Sequence, residues 1–106
     1  MTGGVGNDLY DFNAITDRGT SGDVITDFSR SGMNGVDVLN LHDLLLTFAG
    51  FNGNNAFSGG YLQFDTSSGT GTAVRVDANG GANSYVTLAT LTGTLLQQGD
   101  TANYVL

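Results

Sequence analysis

The sequence predicts a mainly β protein, and three observations carry that prediction. All ten acidic residues are Asp, with no Glu and no Lys. Asp is an acid of turns, because its short side chain folds back on its own backbone, whereas Glu and Lys populate exposed helix surfaces. Glycine is abundant, at 17 residues, and proline is absent. Apolar residues alternate with period two in several short stretches, the signature of half-buried strands, and only one stretch has helical spacing. The 106 residues fit a single domain, 1–106, split into a turn-and-strand part over 1–41 and a helix with antiparallel strands over 42–106.

Composition narrows the function. The net charge is −7, with Arg18, Arg30 and Arg75 as the only bases besides one His. That balance argues against nucleic acid and anionic lipid, which both call for basic patches, and it suits a cation. Without Cys there is no disulfide, and zinc lacks its usual ligands. No apolar run approaches membrane-spanning length, so no membrane insertion is expected. No stretch has the signal-peptide pattern, so an exported chain would carry its address elsewhere. The lone His42 sits beside Asp43, but adjacent helical residues do not face each other and no G-x-S-x-G elbow exists. The expectation is no enzyme activity.

The N-terminal segment Gly3-Gly4-Val5-Gly6-Asn7-Asp8-Leu9-Tyr10 reads G-G-x-G-x-D-x-U, where U is large and apolar. Its glycines permit a tight turn that exposes backbone carbonyls, and Asp8 adds a short carboxylate. Calcium takes six to eight such hard oxygens. A strand then runs from Leu9 to Ala14, with Tyr10 and Phe12 on one face. After a loop over 16–22, Gly22-Asp23-Val24-Ile25-Thr26-Asp27-Phe28 echoes the first segment. If Asp23 aligns with Asp8, then Ile25 aligns with Tyr10 and two turns stack. The candidate calcium ligands are the backbone of Gly3, Val5, Gly6 and Gly22 and the carboxylates of Asp8, Asp23 and Asp27. Asp37, at the start of a third short strand, is a weaker candidate.

Leu41, Leu44, Leu45 and Phe48 follow at i, i+3, i+4 and i+7, so one helix is expected over about 41–49. Asn40 is placed to cap it, Asp43 to complete a capping-box-like start, and Gly50 to end it. Phe51 and Phe57 anchor the long loop 50–60. Three strands follow, over 60–66, 72–78 and 84–91, with Leu62 and Phe64, Val74 and Val76, and Val86 and Leu88 inward, as an antiparallel meander. Asp77-Ala78-Asn79-Gly80-Gly81 faintly resembles the start of an EF-hand loop but reads better as a hairpin turn. The apolar end Asn103-Tyr104-Val105-Leu106 suits either a packed strand or a segment read by a receptor.

The series Gly3 to Tyr10, Asp23-Val24-Ile25-Thr26-Asp27-Phe28 and Asp37-Val38-Leu39-Asn40-Leu41-His42-Asp43-Leu44-Leu45 resembles the C-terminal secretion-target domain of RTX proteins. These are exported by type I secretion, and the subclass at the end of large repetitive bacterial adhesins is most similar. The family pattern D-x-I-x-D-F, loop, D-x-[IL]-D-L-S-D-L-L is followed, with Asn40 in place of its Asp and His42 in place of its Ser. The resemblance implies a short calcium-binding parallel β-roll end packed on an antiparallel meander or sandwich, with Ca2+ as the ligand. It implies a C-terminal signal read transiently by the type I transporter, and a chain that crosses unfolded and folds outside, at the bacterial surface or in the medium. Extracellular calcium modules have affinities of about 10⁻⁴–10⁻³ M. At millimolar calcium each independent site would then add about 1 kcal/mol to the folded state. A monomer is expected. The alternatives are a calcium-dependent glycan- or ligand-binding adhesive module, using the Asn-rich 50–60 loop, or the terminal domain of a secreted enzyme.

Overall fold

The computed structural model describes residues 8–12, 23–26, 28–30, 36–53, 55–81 and 85–106. Their order is β1 (Leu9–Asp11), β2 (Asp23–Ile25), β3 (Val38–Asn40), α1 (His42–Leu46), β4 (Leu62–Asp65), β5 (Gly71–Val76), β6 (Val86–Thr92), a 3-10 turn at Thr101–Asn103 and β7 (Tyr104–Val105). Among the described residues the fold is mainly β, with two sheets and one short helix. One sheet has the order β1-β3-β7 and the other β2-β6-β5-β4.

The expected meander forms. β4 pairs antiparallel with β5, and β5 with β6. Val74 and Val76 are fully buried, Leu62 nearly so, and Phe64 packs partly buried against the same core. Alternation breaks within β6. Val74 lies opposite Ala89 and Arg75 opposite Thr87, so Leu88 is an extra residue on that strand. Such a bulge shifts the inward face by one, which is why Leu88, Ala89 and Leu91 are all buried. Gly71 is at the tight point of the sheet. A Cβ there would collide with the Leu91 carbonyl oxygen, a backbone atom that cannot swing aside. Gly71→Ala is therefore expected to cost about 2–3 kcal/mol, an overpacking penalty measurable by urea unfolding. A loss below about 0.5 kcal/mol, the level of neutral surface changes, would mean the strands part easily there.

The helix is shorter than its apolar stripe suggested. Leu41, Leu44, Leu45 and Phe48 are all buried as expected. The helix proper ends at Leu46, with Thr47 closing it by a hydroxyl bond to the Leu44 carbonyl. Leu41, not Asn40, occupies the N-cap position, while Asn40 Oδ1 accepts the His42 N–H at 3.2 Å from one residue further back. Gly50, three residues past the C-cap, adopts a φ of 84° within the following loop. That loop is built around Tyr61. Its hydroxyl donates to the Ala49 carbonyl at 2.7 Å, and its ring lies between Phe48, at 6.3 Å, and Phe51, edge-on at 5.9 Å. Phe57 packs on Phe64 and Tyr104 instead, closing a three-ring cluster between the meander and β7.

The first half of the chain does not stack as the Asp8–Asp23 alignment expected. β1 pairs in parallel with β3, in the register Leu9–Val38, Tyr10–Leu39 and Asp11–Asn40. β2 lies in the other sheet and pairs in parallel with β6. The partner of Asp8 in register is thus Asp37. The reason is one of spacing. A parallel partner requires the chain to leave the sheet and return, and β2 is the outward leg of that excursion. Ile25 still reaches the core, fully buried, but from the second sheet. The step from β2 to β3 is repeated by the step from β6 to β7, with β2 parallel to β6 and β3 parallel to β7. Two such parallel steps thus bracket the helix and the first two strands of the meander, and β6 belongs to both.

Candidate functional site

Where β1 and β3 begin, the chain gathers polar groups in the interior. Asp37 is fully buried. Its Oδ1 accepts the Asp8 N–H at 3.0 Å and its Oδ2 the Ser29 N–H at 2.8 Å. Its own N–H donates to the Ser29 carbonyl at 2.8 Å, and the Asp8 carbonyl accepts from Val38 at 2.8 Å. Asn103, 3% exposed, completes the cluster from the 3-10 turn before β7. Its Nδ2 donates to the carbonyls of Asp37 at 2.9 Å, Arg30 at 3.0 Å and Ser29 at 3.4 Å. A buried carboxylate is tolerated only when hydrogen bonds replace its lost water, and here two backbone amides do so. The clasp ties together four segments distant in sequence: 8–10, 28–30, 37–40 and 103–105.

Around it the electrostatics are those of a surface. Arg30 pairs with Asp100 at 3.3 Å. The Gln97 N–H, and then Arg30, hold the Asp100 carboxyl below its ordinary value. Burial, with Asp100 nearby, pushes the Tyr104 phenol up, and its hydroxyl donates to the Gln98 carbonyl. On the outer face of the meander Arg75 reaches Asp65 at 3.3 Å and lies 5.6 Å over the Tyr85 ring. The Ser67 hydroxyl and N–H keep the Asp65 carboxyl low, and Arg75 assists.

Of the expected ligands, Asp8 lies at the clasp, half-buried, with Oδ2 in the interior. Asp23 opens β2, paired with Ala89. Gly3, Val5, Gly6, Gly22 and Asp27 lie outside the described residues. Asp37 is a structural acceptor, with both carboxylate oxygens on backbone N–H groups. Among the described residues, no three His, Cys, Asp or Glu side chains gather in a way that could hold a metal ion. Asp77 forms the hairpin turn: its Oδ1 accepts from Asn79 and its carbonyl from Gly80. His42 is exposed, with Nδ1 2.9 Å from the Leu106 carbonyl oxygen.

No family model, curated protein or solved structure matches this chain. The site therefore rests on its own geometry. Asn103 carries as much of the clasp as any acid, and nothing in its local sequence pointed to it. Asp37 had a clearer signal. Asp37-Val38-Leu39-Asn40-Leu41 matches Asp8-Leu9-Tyr10-Asp11-Phe12 position by position, as acid, two apolar residues, Asp or Asn, and a buried apolar residue.

Beside the 50–60 loop a cavity of about 550 Å3 opens between Gly53, Ala56, Phe57, Ser58, Gln98 and Leu106.

Proposed function

We propose that this chain is a calcium-dependent folding module carrying the C-terminal type I secretion signal of an extracellular RTX protein, an adhesin of the large repetitive kind. One observation carries the reading. The strand that ends the glycine-rich segment Gly3 to Tyr10 stacks in parallel, in register, on a second strand that also directly follows an Asp, and the chain visits the other sheet between them. That is the path of a parallel coil, the geometry in which turn carbonyls and short carboxylates recur on one edge. In this reading calcium binds through the backbone of Gly3, Val5, Gly6 and Gly22 and the carboxylates of Asp8, Asp23 and Asp27. Asp37 and Asn103 set the strand ends that hold those turns in place. Without calcium, a glycine-rich chain with a net charge of −7 repels itself and stays loose.

The C-terminal residues fit the same scheme. Tyr104 packs in a ring cluster and β7 is paired to β3, so a transporter would read this segment only while the chain is unfolded. Folding outside the cell then withdraws the signal. The cavity beside the Asn-rich loop favours the second reading, a ligand- or glycan-binding adhesive module, which is compatible with a calcium-stiffened scaffold.

A calcium titration of chelator-treated protein, followed by far-UV circular dichroism and thermal melting, tests the proposal. Millimolar calcium is expected to raise both order and Tm, and Asp8→Ala and Asp23→Ala are each expected to weaken the response strongly. An apo protein already folded and indifferent to calcium would sink the proposal.

A further inference from the structure

We infer that Asn52–Gly53 is a site of spontaneous modification, where the Asn52 side-chain amide is converted to aspartate and isoaspartate. The backbone nitrogen of Gly53, deprotonated, attacks Cγ of Asn52. A C–N bond forms, the bond from Cγ to the side-chain nitrogen breaks, and ammonia leaves with the proton. The resulting five-membered imide then takes up one water at either of its carbonyls. Opening one way gives aspartate, and opening the other way gives isoaspartate. Over the whole sequence one water is consumed and one ammonia is released, with no oxidant or reductant.

The step needs the nitrogen after Asn to be uncrowded and able to turn toward the side chain, which glycine permits best. The sequence has three Asn-Gly pairs, at 34–35, 52–53 and 79–80. The first lies outside the described residues, and the other two differ sharply in their surroundings. At the second, both residues are exposed, and a Cβ on Gly53 would meet nothing within 4 Å. Among the described residues nothing accepts the Gly53 N–H. At the third, the Gly80 N–H donates to the Asp77 carbonyl at 3.1 Å. The next amide, Gly81, is tied to the Gly59 carbonyl at 2.8 Å. The Tyr61 ring lies so close to Gly80 that a Cβ would meet it at 2.9 Å. To react there, a packed turn must first open.

Conversion would add one negative charge at a residue next to the Gly53 wall of the cavity. The isoaspartate product also lengthens the main chain at the point where Asn55 clamps the loop. That clamp consists of the Asn52 N–H on Asn55 Oδ1 at 3.0 Å and Asn55 Nδ2 on the Gly50 carbonyl at 3.2 Å.

The test incubates the folded full chain in mildly alkaline buffer and follows each site by peptide mapping, with isoaspartyl methyltransferase labelling as a second readout. A urea-unfolded sample is the reference. In the folded chain Asn52 is expected to convert roughly tenfold faster than Asn79, the ratio that a barrier difference of about 1.4 kcal/mol produces. In urea the two rates should converge. Asn52→Gln should remove the early acidic species on ion exchange. The inference is overturned if Asn79 keeps pace with Asn52 in the folded chain, or if folding slows Asn52 as much as Asn79.

Discussion

Replacing Asp37 with alanine is expected to bring the domain close to unfolding. The substitution leaves the N–H groups of Asp8 and Ser29 buried without their carboxylate acceptor. A buried donor left unsatisfied costs about 1–3 kcal/mol, so the pair costs about 2–6 kcal/mol. Domains of this size are stable by only about 5–15 kcal/mol. Each kcal/mol lowers Tm by roughly 4–8 °C in a small domain, so a fall of more than about 10 °C is expected in saturating calcium. Raising calcium further should not restore it, because what is lost is a partner for backbone amides. Recovery at high calcium would instead make Asp37 a metal ligand and overturn the structural role assigned to it.

The second large effect is expected at Tyr61. Removing its ring in Tyr61→Ala should cost about 3–5 kcal/mol, as for other large aromatic truncations. Tyr61 is 6% exposed, and its ring contacts Phe48 and Phe51 as well as lying close against the Gly59 and Gly80 backbone. Tyr61→Phe keeps the ring and loses one hydrogen bond to the exposed Ala49, so about 0.5–1.5 kcal/mol is expected. Urea midpoints at unchanged m-value would measure both. Equal losses for the two variants would mean that the hydroxyl, not the ring, holds the loop.

These two residues mark what the sequence could and could not reveal. Local periodicity was legible. The stripe Leu41, Leu44, Leu45 and Phe48 identified a helix, and the alternation around Leu62, Val74 and Val76 identified the meander, because each pattern is written within a few consecutive residues. The inward position of Tyr10 and Phe12 was legible for the same reason. Partnership between strands was not. Asp8, Asp23 and Asp37 each stand at or just before the start of a short strand, and nothing local says which two lie side by side. The choice depends on β2 finding β6, some 65 residues away, in the other sheet. The bulge at Leu88 was equally hidden, since it arises from the mismatch between two strands. Asn103 reaches three carbonyls across long separations in sequence, and an Asn in a polar stretch carries no mark of such a role.

The strand partnerships also bear on how fast the molecule assembles. β1 with β3, β2 with β6 and β3 with β7 are all parallel and all long-range. Loop-closure entropy must be met before any of these contacts returns free energy, and topologies of this kind fold in milliseconds to seconds rather than microseconds. The third strand of one sheet is Tyr104–Val105, so that sheet cannot close on a growing chain until residues 104–105 have left the ribosome. At about 5–20 residues per second, synthesis as far as residue 105 takes about 5–20 s, longer than such a fold needs once all its strands are present. β1 and β3 therefore wait, already made, for the strand that completes their sheet.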